Sequence, residues 1–175
     1  MFMAIARRVY FFTTGASFLW LAAIFLAPVC FDSGKPGVAG LIYGFFSTIC
    51  HQIDSRSFHV SGQALAVCAR CLGIYSGLLV ALLLLPLTKY FPRPPLPRKE
   101  FLILFSLPMA ADFTAGLLRL FSSSNSLRFI TGLVWGGIIM PYFLAAINET
   151  ALFLRAKMAR PGRRNGRQDG QLTDS

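Results

Sequence analysis

The sequence predicts an all-α membrane protein: a bundle of four transmembrane helices with a partly re-entrant extracytoplasmic loop. Three observations predict it. Apolar residue types make up 55% of the 175 residues and charged ones only 14%, whereas a soluble domain carries about 25% charged residues. The mean hydropathy is +0.59. The apolar residues are also gathered into runs near the length of ~20 residues that a helix needs to cross a bilayer. A water-exposed globule is thereby excluded. So is disorder, because the 17 phenylalanines offer ample surface to bury.

The first run, Val9–Phe31, holds 23 residues without a charge and is expected to stay as an anchor. It is too long for the apolar region of a cleaved signal, and no A-x-A pattern closes it. The second span falls at about 68–88, built on the 18 uncharged residues Cys71–Thr88. The third, at about 101–121, is interrupted by Asp112 and Arg119, and the fourth, at about 129–148, is uncharged throughout. Val38–Cys50 is apolar but only 13 residues long, too short to cross, and reads as a re-entrant or interfacial helix. These elements form one transmembrane domain over residues 1–155. Residues 156–175 read as a basic, disordered cytoplasmic tail.

Charge sets the expected orientation. With both termini inside, the cytoplasmic side holds 12 lysines and arginines and the outer side five: Lys35, Arg56, Arg70, Arg119 and Arg128. That is a clear positive-inside bias. The net charge of +10 is therefore a topological signal, with membrane lipid as partner and no nucleic acid. The expected location is the inner (plasma) membrane of a prokaryote. Phe91–Arg98, with four prolines, is a stiff cytoplasmic connector.

This topology places the loop Asp32–Val67 outside, and unusual chemistry collects there. Cys50-His51-Gln52, Arg56-Ser57-Phe58-His59 and Cys68-Ala69-Arg70-Cys71 hold three of the four cysteines and both histidines of the chain. On a helix Cys68 and Cys71 share one face. Cys50, His51, Cys68 and Cys71 together supply the soft and borderline ligands of closed tetrahedral zinc sites, with His59 as an alternative imidazole. An ion held there would staple the first outer loop to the second span. The bland reading, inert thiols in an apolar interior, suits Cys30, which stands apart. A redox reading competes: a C-x-x-C pair at a helix start, with Arg70 between its thiols, favours thiolate, and an outward-facing compartment is oxidising. Cys68 and Cys71 would then be the redox pair, with Cys50 or Cys30 as the exchanging thiol. This layout resembles that of quinone-linked disulfide-generating membrane enzymes, which implies a quinone as electron acceptor. Leu72 stands where haem attachment would require His.

The combined pattern Cys50-His51-Gln52, Arg56-Ser57-Phe58 and Cys68-Ala69-Arg70-Cys71-x-Gly73-Ile74-Tyr75-x-Gly77 resembles the signature of an uncharacterised family of small prokaryotic membrane proteins, a domain of unknown function. The likeness continues through Pro108-x-x-x-Asp112 and Asn125-x-x-Arg128-x-x-Thr131-Gly132, from about Gly40 to Gly137. It departs at Phe113-Thr114, where a glycine is typical after the aspartate. The resemblance implies a membrane protein and supplies no reaction.

Asp112 lies 11 residues into the third run, at a depth of about 16 Å. An intramembrane carboxylate is costly and faces the bundle interior. It is either paired and ionised or protonated and hydrogen-bonded, with Arg119 on the same helix face. A structural polar clasp is one reading. A small transport or lipid-handling protein that uses Asp112, Arg119 and Arg128 is the other, the arginines forming an anion-binding rim. Gly73-x-x-x-Gly77 and Gly132-x-x-x-Gly136 permit close helix contact and would gather Cys68, Cys71, Asp112, Asn125 and Arg128 in one neighbourhood. No phosphate loop, serine elbow or zinc-protease motif is present.

Overall fold

The computed structural model describes residues 2–118 and 123–158. The chain is mostly helical. Its elements run α1 (Phe2–Asp32), α2 (Pro36–Ser47), a 3-10 turn (Asp54–Arg56), β1 (His59–Val60), β2 (Gln63–Ala64), α3 (Ala69–Leu84), α4 (Lys99–Leu117) and α5 (Asn125–Met158). Three helices are long and apolar enough to cross a membrane by length and composition: Met3–Asp32, Ala69–Leu87 (α3 continued by a short 3-10 turn) and Asn125–Met158. The expected third span corresponds to α4, and its continuation through Arg119 lies outside the described residues. The expected fourth span is longer than the apolar run suggests: α5 carries Pro141 inside it and Arg155 and Lys157 in its last turn. Cationic side chains there complement the carbonyl end of the helix. Of the tail, residues 159–175 lie outside the described part.

Local chemistry explains the chain's reversals. Helix α1 ends where Gly34 takes φ +71°. The Gly34 and Lys35 amides donate back to the carbonyls of Phe31 and Cys30 at 3.2 and 2.9 Å, a glycine-terminated cap of the Schellman kind. Pro36 then opens α2 at a position where its missing N–H costs nothing. The segment expected to be short and apolar is this 12-residue helix, and it lies against α1. The Trp20 ring meets those of Phe45 and Phe46 edge to face at 5.5 and 5.2 Å.

Helices α3 and α5 run parallel in close contact. A Cβ added at Gly73 or Gly77 would overlap the backbone carbonyls of Phe129 or Leu133, and one at Gly132 or Gly136 those of Arg70 or Ile74. With four glycines at the crossing the backbones themselves meet, as in small-residue membrane interfaces. Helix α1 packs antiparallel across this pair. At one end Tyr10 donates to the Leu82 carbonyl at 3.1 Å, inside an apolar cluster of Ile5, Val9, Leu82, Leu85, Met140 and Leu144. At the other end Ile24, Ala27, Phe46, Leu65, Val67 and Leu72 surround Cys50.

Candidate metal centre

The site grows out of the chain between α2 and α3. Below it, the end of α2 delivers Cys50, whose amide donates to the Phe46 carbonyl at 2.9 Å. Cys68 caps the start of α3 in an extended conformation, φ −68° and ψ 160°. Its amide donates to the Cys50 sulfur at 3.2 Å. Cys71, in the first turn of α3, completes the group. The sulfur atoms of Cys50, Cys68 and Cys71 all lie within 4.8 Å of one another, and Cys50 is only 5% exposed. The sequence expectation that these residues meet is met for the three thiols.

His51 is exposed and stands outside this group. Cys50 and Gln52 both turn inward, and the residue between them faces the other way. His59 is likewise engaged elsewhere, its ring nitrogen 3.0 Å from the Asp54 carboxylate in an exposed pair. Cys30 is half-buried and not part of the cluster.

Side chains that the sequence left without a role hold the thiols in place. Gln52 adopts φ +48°, a left-handed conformation uncommon for a residue with a side chain. Its side-chain amide donates to the Tyr43 and Ala66 carbonyls at 2.9 and 2.8 Å, joining α2 to the segment that leads into α3. The Tyr43 hydroxyl donates to the Ala64 carbonyl. The residues between form a two-residue hairpin, with His59 opposite Ala64 and Val60 opposite Gln63. Ser61 and Gly62 turn it at φ 50° and 78°, the geometry that suits a tight hairpin.

The Arg56-Ser57-Phe58 motif is docked on α5. Asn125 donates to the Ser57 carbonyl at 3.1 Å, and the Phe58 and Phe129 rings meet edge to face at 6.0 Å. Two of the quoted motifs are thus one contact. Arg70, between the α3 cysteines, forms an ion pair with Asp112 of α4, the two side chains being 16% and 12% exposed. Arg128 is 7% exposed, and Arg56 and Arg128 both lie within electrostatic reach of Arg70. Arg119 lies outside the described residues.

The electrostatics favour charge on the Cys50 sulfur. Thiol hydrogen bonds from Cys68 and Cys71 hold the Cys50 thiol well below the usual thiol range, outweighing the upward push of burial. The backbone amides of Cys68 and Gln52 act in the same direction. A thiolate is both the metal ligand and the nucleophile of thiol chemistry. Three sulfurs at this spacing suit a thiophilic ion such as zinc.

Residues 50–142 match a family model described as predicted membrane protein (DUF2085). The match opens on Cys50 and takes in the three thiols together with Gln52, Arg56, Arg70, Asp112 and Arg128. Over 148 residues the chain is 40% identical to an uncharacterised protein of Methanocaldococcus jannaschii, covering 82% of this chain and 95% of that protein. It is 36% identical over 94 residues to an uncharacterised protein of Methanothermobacter thermautotrophicus, covering 52% of this chain and 80% of the relative. No solved structure matches the chain.

Proposed function

Because the chain belongs to the DUF2085 family of predicted membrane proteins, we propose its function from the chemistry of its one thiol cluster. The reading is a multi-pass membrane protein that holds a zinc-like ion on Cys50, Cys68 and Cys71 at the extracytoplasmic side. Helix α4 serves as a fourth span and α2 as a re-entrant segment. Both termini are cytoplasmic in the plasma membrane of a prokaryote, as the distribution of lysine and arginine favours.

The observation that carries this reading is the meeting of three sulfurs from two chain segments within 4.8 Å. The ion clasps the loop after α2 to the first turn of α3. Its fourth ligand is a solvent molecule or His51, after a change of side-chain direction. Three thiolates around a divalent cation leave net negative charge, and Arg70 and Arg128, both within electrostatic reach of Cys68, offset it. Asp112 is already engaged by Arg70, which favours a structural carboxylate over a free proton carrier.

One observation supports a second reading, a thiol oxidoreductase. The Cys50, Cys68 and Cys71 sulfurs lie within 4.8 Å of one another, so any two of them are neighbours that oxidation can join. Metal content and accessible thiols on the purified protein separate the two. The metal reading expects about one zinc per chain, and three thiols that alkylate only after a chelator is added. Metal-free protein with a reducible disulfide among these cysteines rejects it in favour of the oxidoreductase.

A further inference from the structure

We propose that Arg56, Arg70 and Arg128 form a binding site for a phosphate-class oxyanion, at the end of the bundle where α3 and α5 begin. Three chain segments bring them there. Arg128 lies in the first turn of α5, one turn before Gly132, which meets the Arg70 carbonyl of α3. Arg56 closes the 3-10 turn, and the two residues after it hold it against the start of α5. The Ser57 carbonyl accepts from Asn125 at 3.1 Å, and the Phe58 ring meets that of Phe129 at 6.0 Å. Each of the three guanidiniums lies within electrostatic reach of the other two.

Arg128 is the residue that asks for a ligand. It is 7% exposed, so it does not keep its head in solvent as a snorkelling arginine does. A guanidinium does not discharge by losing its proton, and leaving one buried and unpaired is costly. The ion pairs among the described residues are Arg70–Asp112 and His59–Asp54. The ionisable groups that act on Arg128 are Arg56 and Cys68, with no carboxylate among them. Residues 119–122, just before it in the chain, add an arginine and no acid. The first turn of α5 holds no acidic residue, although the positive end of a helix favours one. Arg70 Nε is sealed and unpartnered, whereas no nitrogen of Arg128 is, so its head keeps the opening a ligand needs.

The thiols do not balance this charge. If Cys50, Cys68 and Cys71 hold a divalent ion as thiolates, cluster and ion together carry a single negative charge. If they hold none and Cys50 alone is ionised, the charge is the same. With Asp112 engaged by Arg70, one positive charge is left over in either case, so the proposal stands apart from the metal reading. Phosphate fits what remains, because its several charged oxygens match the forked N–H donors of guanidinium. Arg128 and Arg56 make the contact, while Arg70, tied to Asp112, contributes charge. A phospholipid headgroup and free phosphate offer the same chemistry.

The test is thermal unfolding of the full chain in dodecyl maltoside. Inorganic phosphate or dihexanoyl phosphatidylglycerol should raise the midpoint along a saturable curve, relative to sodium chloride at matched ionic strength and to dihexanoylglycerol. Saturation at a lower concentration of the lipid assigns a headgroup, and the reverse order a free anion; both support the site. Arg128→Gln and Arg56→Gln should each raise the half-saturating concentration about tenfold or more, the effect of a lost charge-assisted hydrogen bond. Arg155→Gln, exposed at the other end of α5, should leave it unchanged. A midpoint shift that chloride or the neutral lipid reproduces overturns the proposal. So does a response that Arg155→Gln weakens as much as Arg128→Gln does. Should Arg128→Gln not fold, an unchanged half-saturating concentration in Arg56→Gln is sufficient to reject it.

Discussion

Arg70, placed between two cysteines at the start of α3, is paired with Asp112 of α4, 42 residues further along the chain. The pair joins the thiol cluster to a helix that otherwise meets the bundle through α5, where Trp135 donates to Ser106 at 2.8 Å. The carboxylate thus helps to set where the first turn of α3 sits, and with it Cys68 and Cys71.

This pairing predicts an asymmetric response to substitution. Asp112→Leu strands the Arg70 guanidinium in an apolar setting and should cost about 3–5 kcal/mol, the penalty for removing one partner of a buried ion pair. Asp112→Asn keeps an acceptor and should cost distinctly less. Arg70→Leu combined with Asp112→Leu should recover much of the loss, since neither charge is then left unpaired. Thermal unfolding in detergent, read as a double-mutant cycle, measures this. Additive losses would show that the two side chains act separately.

The glycine contact yields a sharper test of helix packing. Gly132→Ala or Gly136→Ala pushes a methyl into the Arg70 or Ile74 carbonyl of the facing helix. Backbone cannot rotate aside as a side chain does, so each should destabilise by more than about 2 kcal/mol. Gly15→Ala in α1 meets nothing within 4 Å. It should be neutral or stabilising, because alanine favours helix over glycine. Unfolding midpoints for the three variants side by side give the comparison, and equal tolerance at all three positions would contradict a backbone-to-backbone contact.

How far the sequence was legible follows from the range of the interactions involved. The apolar runs foretell α1, α3 and α5, because length and composition are local properties, and the paired G-x-x-x-G motifs foretell which helices touch. Cys68 and Cys71 share a face by helical geometry, and Cys50 joins them as expected. His51 does not, since its direction depends on Gln52 turning inward to bond with Tyr43 and Ala66, a tertiary event. The hairpin at His59–Ala64 escapes any periodicity argument with strands two residues long. Asp112 reads from sequence as interior, but its partner depends on the rotation of α4, which an evenly apolar helix does not reveal.

Orientation is tested by reporter fusions. Fusions at Lys89 and after Arg155 should score cytoplasmic, and one near Ser33 extracytoplasmic, as the excess of cationic residues in the connector and the C-terminal region requires. A reproducibly cytoplasmic reporter at Ser33 would invert the topology and place the thiols in a reducing compartment.

The last prediction separates clasp from catalyst at the sulfurs themselves. Zinc accepts carboxylate oxygen as well as thiolate, whereas thiol–disulfide exchange needs sulfur at both positions. Cys71→Asp should therefore keep part of the bound zinc, and part of the stability the ion confers, if the cluster is a metal clasp. In a redox pair the same change removes the Cys68–Cys71 bond outright. Cys50→Ser works in the opposite sense. It takes a ligand from the clasp and should weaken zinc retention against a chelator by at least about tenfold, as judged from the range for disturbed metal sites. It would leave the C-x-x-C pair free to form its own disulfide. Zinc content, chelator competition and a thiol count on the two variants form a crossed design. If Cys71→Asp retains zinc and Cys50→Ser loses it, with no disulfide in either, the clasp stands. If both lack zinc, and Cys50→Ser alone carries a Cys68–Cys71 disulfide that quinone regenerates after reduction, the cluster is a redox centre.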